Sequence, residues 1–131
     1  MGEKKRWAFI LDKDEFVRLS LNKILKKYGF FVEEIEDLSQ LEKRKKDIET
    51  GLILADMEVD VLERKFPPLK RWNDRFILMT TLVTDGLTLR LKKIGVRRII
   101  KKPVEPRLLK RVIREISFPD ELKSPPWSKP R

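Results

Sequence analysis

A chain of 131 residues, 40% hydrophobic and 40% charged, suffices for one domain with one core and leaves little room for a second. With no cysteine and no histidine, disulfides, thiolate chemistry and the commonest general base and metal ligand are excluded. Any metal must then be held by oxygens, as Mg²⁺ or a similar hard cation is. The 31 basic and 21 acidic residues give a net charge of +10, which fits an acidic protein or nucleic-acid partner. It fits more directly a heat-adapted, thermophile-like surface, given the single glutamine and two asparagines.

Residues 7–11, WAFIL, read as a buried strand. Asp14 is placed to cap a helix in which Val17, Leu21, Ile24 and Tyr28 recur at helical spacing, with Gly29 closing it. FVEEIE, residues 31–36, reads as a second strand whose polar positions suit a sheet edge. Residues 38–49 read as a weakly apolar helix on Leu41 and Ile48, opened by Ser39 with Glu42 in a capping box. GLILAD, residues 51–56, is apolar enough for a sheet interior.

In the segment 57–75, Pro67 and Pro68 limit any helix to a short one, before them or starting at Pro68. FILMTT, residues 76–81, is a fourth strand. Leu87, Leu91 and Ile94, followed by Gly95, form a short helix, and RRIIKK, residues 97–102, is a fifth strand. Val104, Leu108, Val112, Ile113 and Ile116 define a last helix with Pro106 in its first turn. From Ser117 the chain is proline-rich and unpatterned, and it reads as a tail. No apolar run approaches the roughly 20 residues that cross a bilayer. The basic N-terminus lacks the apolar stretch of a secretory signal, so a cytoplasmic protein with no membrane partner is expected.

Strand and helix alternating five times predict an α/β fold with a parallel sheet covered on both faces. In such sheets the working site lies outside the carboxyl ends of the strands. The residues there are Asp12 and Lys13, Asp56, Thr80 and Thr81, and Lys102 with Pro103. Carboxylates, a hydroxyl and a lysine at one edge suit phosphoryl chemistry: a carboxylate accepts the group, and a cation, a lysine and a hydroxyl bind its oxygens.

At these positions the chain resembles the response-regulator receiver domain of two-component signalling. LILADM resembles that family's third strand, ILMTT its fourth, and KKIGVRRIIKKPVEPRLLKRVI its last strand and helix. The resemblance implies a flavodoxin-like, CheY-like fold with strand order 2-1-3-4-5, a receiver over residues 1–117 and a proline-rich tail over 118–131. It implies Asp56 as phosphoacceptor, Thr80 and Lys102 as phosphate-binding and switch residues, and Mg²⁺ held by Asp12, Asp56 and Glu58. It further implies a stand-alone response regulator of a phosphorelay rather than an enzyme, phosphorylated by a histidine kinase or phosphotransfer protein. Its output would be a protein contact, because only 14 residues follow Ser117.

Four positions depart from the family pattern. The family's adjacent acids at the end of the first strand are here Asp12 and Lys13. Its proline and glycine after the acceptor are missing, and its aromatic switch residue is Ile99.

Lys13 can set its ammonium against Asp12 and Asp56, taking part of the metal's place and slowing phosphorylation; alternatively it points to solvent. A pseudo-receiver that never takes phosphate is the second reading. A basic nucleic-acid-binding domain is the third, although no helix-turn-helix or aromatic-interleaved basic motif supports it. Lys92, Lys93, Arg97, Arg98, Lys101, Arg107, Lys110, Arg111 and Arg114 concentrate charge in the fourth-helix, fifth-strand, fifth-helix region, which predicts an acidic protein partner there.

Overall fold

Five strands, all parallel, pair in the order β2-β1-β3-β4-β5. The structure, a computed structural model, describes residues 6–65 and 67–116. β1 (Trp7–Leu11) and β3 (Leu52–Ala55) are apolar throughout, as is β4 (Phe76–Thr80) up to its terminal threonine. Each of the three has a strand on both sides and helices above and below, so no face of it meets water. The charged residues Glu33, Glu34, Arg98 and Lys101 belong to β2 (Phe31–Glu34) and β5 (Arg98–Lys101), the two edge strands.

Side-chain alternation splits the core into two layers. Ala8, Ile10, Leu54, Ile77 and Met79 face α1 (Glu15–Lys27) and α5 (Pro106–Glu115), meeting Leu21, Leu25, Leu109 and Ile113. Phe9, Ile53, Phe76 and Leu78 face α2 (Lys45–Glu49), α3 (Val59–Lys65) and α4 (Asp85–Ile94), meeting Ile48, Leu62 and Leu91. Burying one such leucine or isoleucine side chain stabilises the fold by roughly 1.5–3 kcal/mol. A one-residue slip in any strand would exchange the two layers, so the register is tightly held.

Local signals set the helix ends. The Asp14 carboxylate accepts hydrogen bonds from the backbone N–H of Phe16 (2.8 Å) and Val17 (3.3 Å), starting α1 at the expected place. Gly95 ends α4 at a φ of 95°, a left-handed conformation that glycine adopts without strain.

The second helical segment differs from the sequence expectation. It opens two residues earlier, at Asp37, whose carboxylate accepts from Ser39 N–H while Gln40 caps Asp37 in return. It then breaks into a 3₁₀ helix (Leu38–Lys43) and the short α2, because Arg44 between them leaves helical geometry. The Arg44 side chain is held by ion pairs to Glu33 and Asp47 and stacks over Trp7 and Phe9. β2 stops at Glu34, two residues short of expectation, although the Ile35 N–H still reaches Ile10 O (2.8 Å). In the proline segment a helix forms before the prolines, α3, and a second 3₁₀ segment begins with them (Pro67–Arg75). The expected tail, with Trp127, lies outside the described residues. Among the described residues no helix is long and apolar enough to cross a membrane.

Candidate functional site

The parallel register brings the carboxyl ends of β1, β3 and β5 to one edge, with Leu11 opposite Ala55 and Thr80 opposite Lys101. The next residue of each of the three strands is therefore Asp12, Asp56 or Lys102. Backbone bonds fix their height: Asp56 N–H donates to Leu11 O (2.8 Å) and Lys102 N–H to Thr80 O (2.7 Å). The Lys102–Pro103 peptide bond is cis.

Lys102 closes the site. Its Nζ donates to Asp12 Oδ2 at 2.9 Å and to Asp56 Oδ2, so one ammonium neutralises two carboxylates from different strands. The three side chains are unequally exposed: 2% for Asp12, 10% for Lys102 and 36% for Asp56. Asp12 is the buried anchor and Asp56 the carboxylate that a solute can reach. Asp12 Oδ1 is also engaged, accepting from Asp14 N–H at 2.8 Å. Burial of the Lys102 ammonium works against its charge, but the hydrogen bonds it donates to Asp56 and Asp12 outweigh burial and raise its pKa above the ordinary lysine value. Lys102 is therefore charged at neutral pH.

Around this pair lies a pocket of about 1070 Å³ whose walls include Lys13, Asp14, Arg18, Glu34, Met57, Glu58 and Val61. Lys13 sits on the exposed rim and makes no ion pair among the described residues. The cation between the acids is Lys102, 90 residues away in sequence. Glu58 is exposed on the pocket wall. Thr80 ends β4, and its hydroxyl makes two long contacts to the backbone of Leu82, donating to the carbonyl (3.3 Å) and accepting from the N–H (3.4 Å). Ile99 is half-buried against the α2–α4 layer.

Sequence reasoning missed Arg18. It donates from Nη1 to Asp12 O (2.8 Å) and from Nε to Glu34 (3.1 Å), tying the acid loop to β2. Its position four residues after the cap Asp14 puts it back over the start of α1, and that spacing is the signal that could have found it.

Over most of its length the chain matches solved structures in fold. Chemotaxis protein CheY4 of Vibrio cholerae aligns with a TM-score of 0.70 at 14% identity, over 87% of this chain and 100% of that one. This is the receiver fold. A CheY-like response regulator receiver domain protein from Methanospirillum hungatei JF-1 aligns with a TM-score of 0.64 at 24% identity, over 86% and 93% of the two chains. Response regulator StyR aligns with a TM-score of 0.67 at 23% identity over 86% of this chain, which spans 59% of that regulator's length. No sequence-family model matches the chain, and neither does a curated relative.

Receivers are the source of the Mg²⁺ expectation, and here Asp12 and Asp56 are the two carboxylates placed to hold such a cation. Among the described residues no three acidic side chains converge as metal ligands. Asp12 and Asp56 each commit an oxygen to Lys102, and the place of the second family acid holds Lys13. The arrangement presents one reachable carboxylate beside a fixed ammonium. That combination can attack an electrophilic phosphorus and hold the product's negative charge.

Proposed function

We propose that the chain is a receiver-type signalling module that takes a phosphoryl group on Asp56 and signals through its own protein surface. An Asp56 oxygen attacks the phosphorus of a phosphohistidine on a kinase or phosphotransfer protein. The new P–O bond replaces the P–N bond, and the electron pair leaves with the imidazole. Asp56 is a stoichiometric acceptor, so the reaction is a relay and not an enzyme's turnover. Lys102 is held ready to pair with the phosphoryl oxygens. The Thr80 hydroxyl, bound only by contacts near the long limit for hydrogen bonds, turns toward them at little cost. The output face is the α4–β5–α5 region, and its basic residues select an acidic partner.

The observation that carries this reading is the bridge of Lys102 to both Asp12 and Asp56, which joins the ends of three strands around the reachable carboxylate. A second reading rests on Lys13: with a lysine in place of an acid, the module keeps the fold and binds partners without taking phosphate. Incubation with radiolabelled acetyl phosphate separates the two. The first reading expects label that hydroxylamine releases, as it does from an acyl phosphate, and that Asp56→Asn abolishes. An unlabelled wild type supports the second reading, and hydroxylamine-stable label would overturn the assignment of Asp56.

A further inference from the structure

β1 ends at Leu11, so Asp12 lies just outside the strand ladder. Its carboxylate is set by Asp14 N–H on Oδ1 and by Lys102 Nζ on Oδ2. Its carbonyl is set by Arg18, whose Nη1 donates to it at 2.8 Å. Arg18 is held in turn by Glu34, the last residue of β2, which accepts from Nε at 3.1 Å. A chain of contacts therefore runs from the edge strand through Glu34, Arg18, Asp12 and Lys102 to Asp56.

A guanidinium holds two acceptors in one rigid fork, which the single nitrogen of a lysine does not. Glu34 fixes the guanidinium, and the guanidinium fixes the turn that carries the Asp12 carboxylate. Lys102 divides its ammonium between Asp12 and Asp56. A turn that drifts from Lys102 leaves the ammonium to Asp56 alone, and a carboxylate oxygen paired more tightly with a cation is a poorer nucleophile. We infer, on the reading of Asp56 as the acceptor, that Arg18 is a positioning residue for phosphoryl transfer. It keeps Lys102 shared between two carboxylates and so leaves Asp56 able to attack. A misplacement of about 1 Å in a reacting geometry costs on the order of a hundredfold in rate, so such a tie matters without touching the donor. Arg44 supplies the comparison. It ties the same strand, through Glu33, to Asp47 of α2 on the opposite face of the sheet, away from the acid pocket.

The test sets Arg18→Met against Arg44→Met in the ¹³C-labelled full chain, at neutral pH and without divalent cation. It follows the side-chain carboxyl resonance of Asp12, assigned by its loss in Asp12→Asn. Arg18→Met and Glu34→Ala should move that resonance. Arg44→Met should leave it nearly in place, as should Glu34→Gln, which keeps an acceptor for Arg18 Nε. In acetyl phosphate with Mg²⁺, the saturating rate of phosphoryl uptake, read by intact mass, should fall about tenfold or more in Arg18→Met and less than about twofold in Arg44→Met. The acetyl phosphate concentration for half that rate should change less than about twofold. An unmoved Asp12 resonance in Arg18→Met, or equal effects of the two arginine variants, would overturn the inference. So would a loss confined to the half-rate concentration, which would make Arg18 a donor-binding group instead. A wild type that gains no phosphoryl increment would overturn the reading of Asp56 itself, even where the Asp12 resonance moves as expected.

Discussion

Two carboxylates from different strands share one ammonium, that of Lys102. With Lys102 replaced by methionine, Asp12 and Asp56 remain close without their shared cation. Asp12 is nearly fully buried, so the charge left on it is costly. Lys102→Met is expected to destabilise the protein by about 2 kcal/mol at neutral pH, measured by urea unfolding. The direction of the pKa shift sets the pH dependence. The folded state raises the Lys102 pKa, so its contribution is complete below the ordinary lysine value and is lost as pH rises through the raised one. The stability gap between wild type and Lys102→Met should therefore hold from neutral pH into the mildly alkaline range and close only above it. A gap that closes below pH 9 would contradict the bridge. The strand-end positions of Asp12, Asp56 and Lys102 were legible in the sequence because the first two directly follow apolar strands and Lys102 follows the Ile99–Ile100 pair of β5. That Lys102 and not Lys13 sits between the acids was not legible, since the answer depends on side-chain reach across three strands.

At the scale of elements, the close packing of strand ends against helix ends leaves little slack. A Cβ on Gly51, just before β3, would lie 2.1 Å from Trp7 O and 2.8 Å from Asp47 O, both backbone atoms. Gly51→Ala must move β1 or α2, and a loss of about 2–3 kcal/mol is expected in thermal or urea unfolding. A change under about 0.5 kcal/mol would show that the contact relaxes freely. Asp37→Ala removes a helix cap and should cost about 1 kcal/mol. The Asp37 pKa is lowered, first by the Ser39 N–H and then by Lys65, so this contribution is present above the ordinary carboxylate range and is lost as pH falls through the lowered value. The cap of α1 at Asp14 was read correctly because apolar periodicity begins just after it. The cap at Asp37 was misplaced to Ser39 because both residues precede a helix-like run. Only the long-range ties of Arg44 to Glu33 and the β1 aromatics decide where that run breaks.

Across the whole molecule, the excess charge is already partly arranged. Within the α4–β5–α5 region Arg97 pairs with Asp74 and Arg98 with Glu115, while Lys92, Lys93, Arg107 and Arg111 stay exposed. Exposed pairs of this kind contribute little to stability, and exposed charges act mainly on encounter rates. Combined Lys92→Glu and Arg111→Glu should weaken association with poly-glutamate, a probe of an acidic partner, several-fold in low salt, and wild-type association should slow as salt rises. Equal binding by the variant would place the contact elsewhere. A parallel sheet covered on both faces was legible from the alternation of apolar strands with amphipathic helices, the most local of all patterns, whereas the strand order rested on the resemblance to receivers. The closure of the acid pocket by Arg18 and Glu34 was not, because it depends on β2 lying beside β1.

The central claim is that Asp56 accepts phosphate in a site charge-balanced by Lys102 and short of one acid at Lys13. A time course of intact mass in acetyl phosphate with Mg²⁺ tests it most directly, run on wild type, Lys13→Asp and Lys102→Met. Lys13→Asp supplies the missing carboxylate, and Lys102→Met removes the ammonium that holds the product. Wild type should gain one phosphoryl increment slowly, Lys13→Asp about tenfold faster or more, and Lys102→Met more slowly than wild type. Equal rates in all three proteins, or no increment in any, would contradict it.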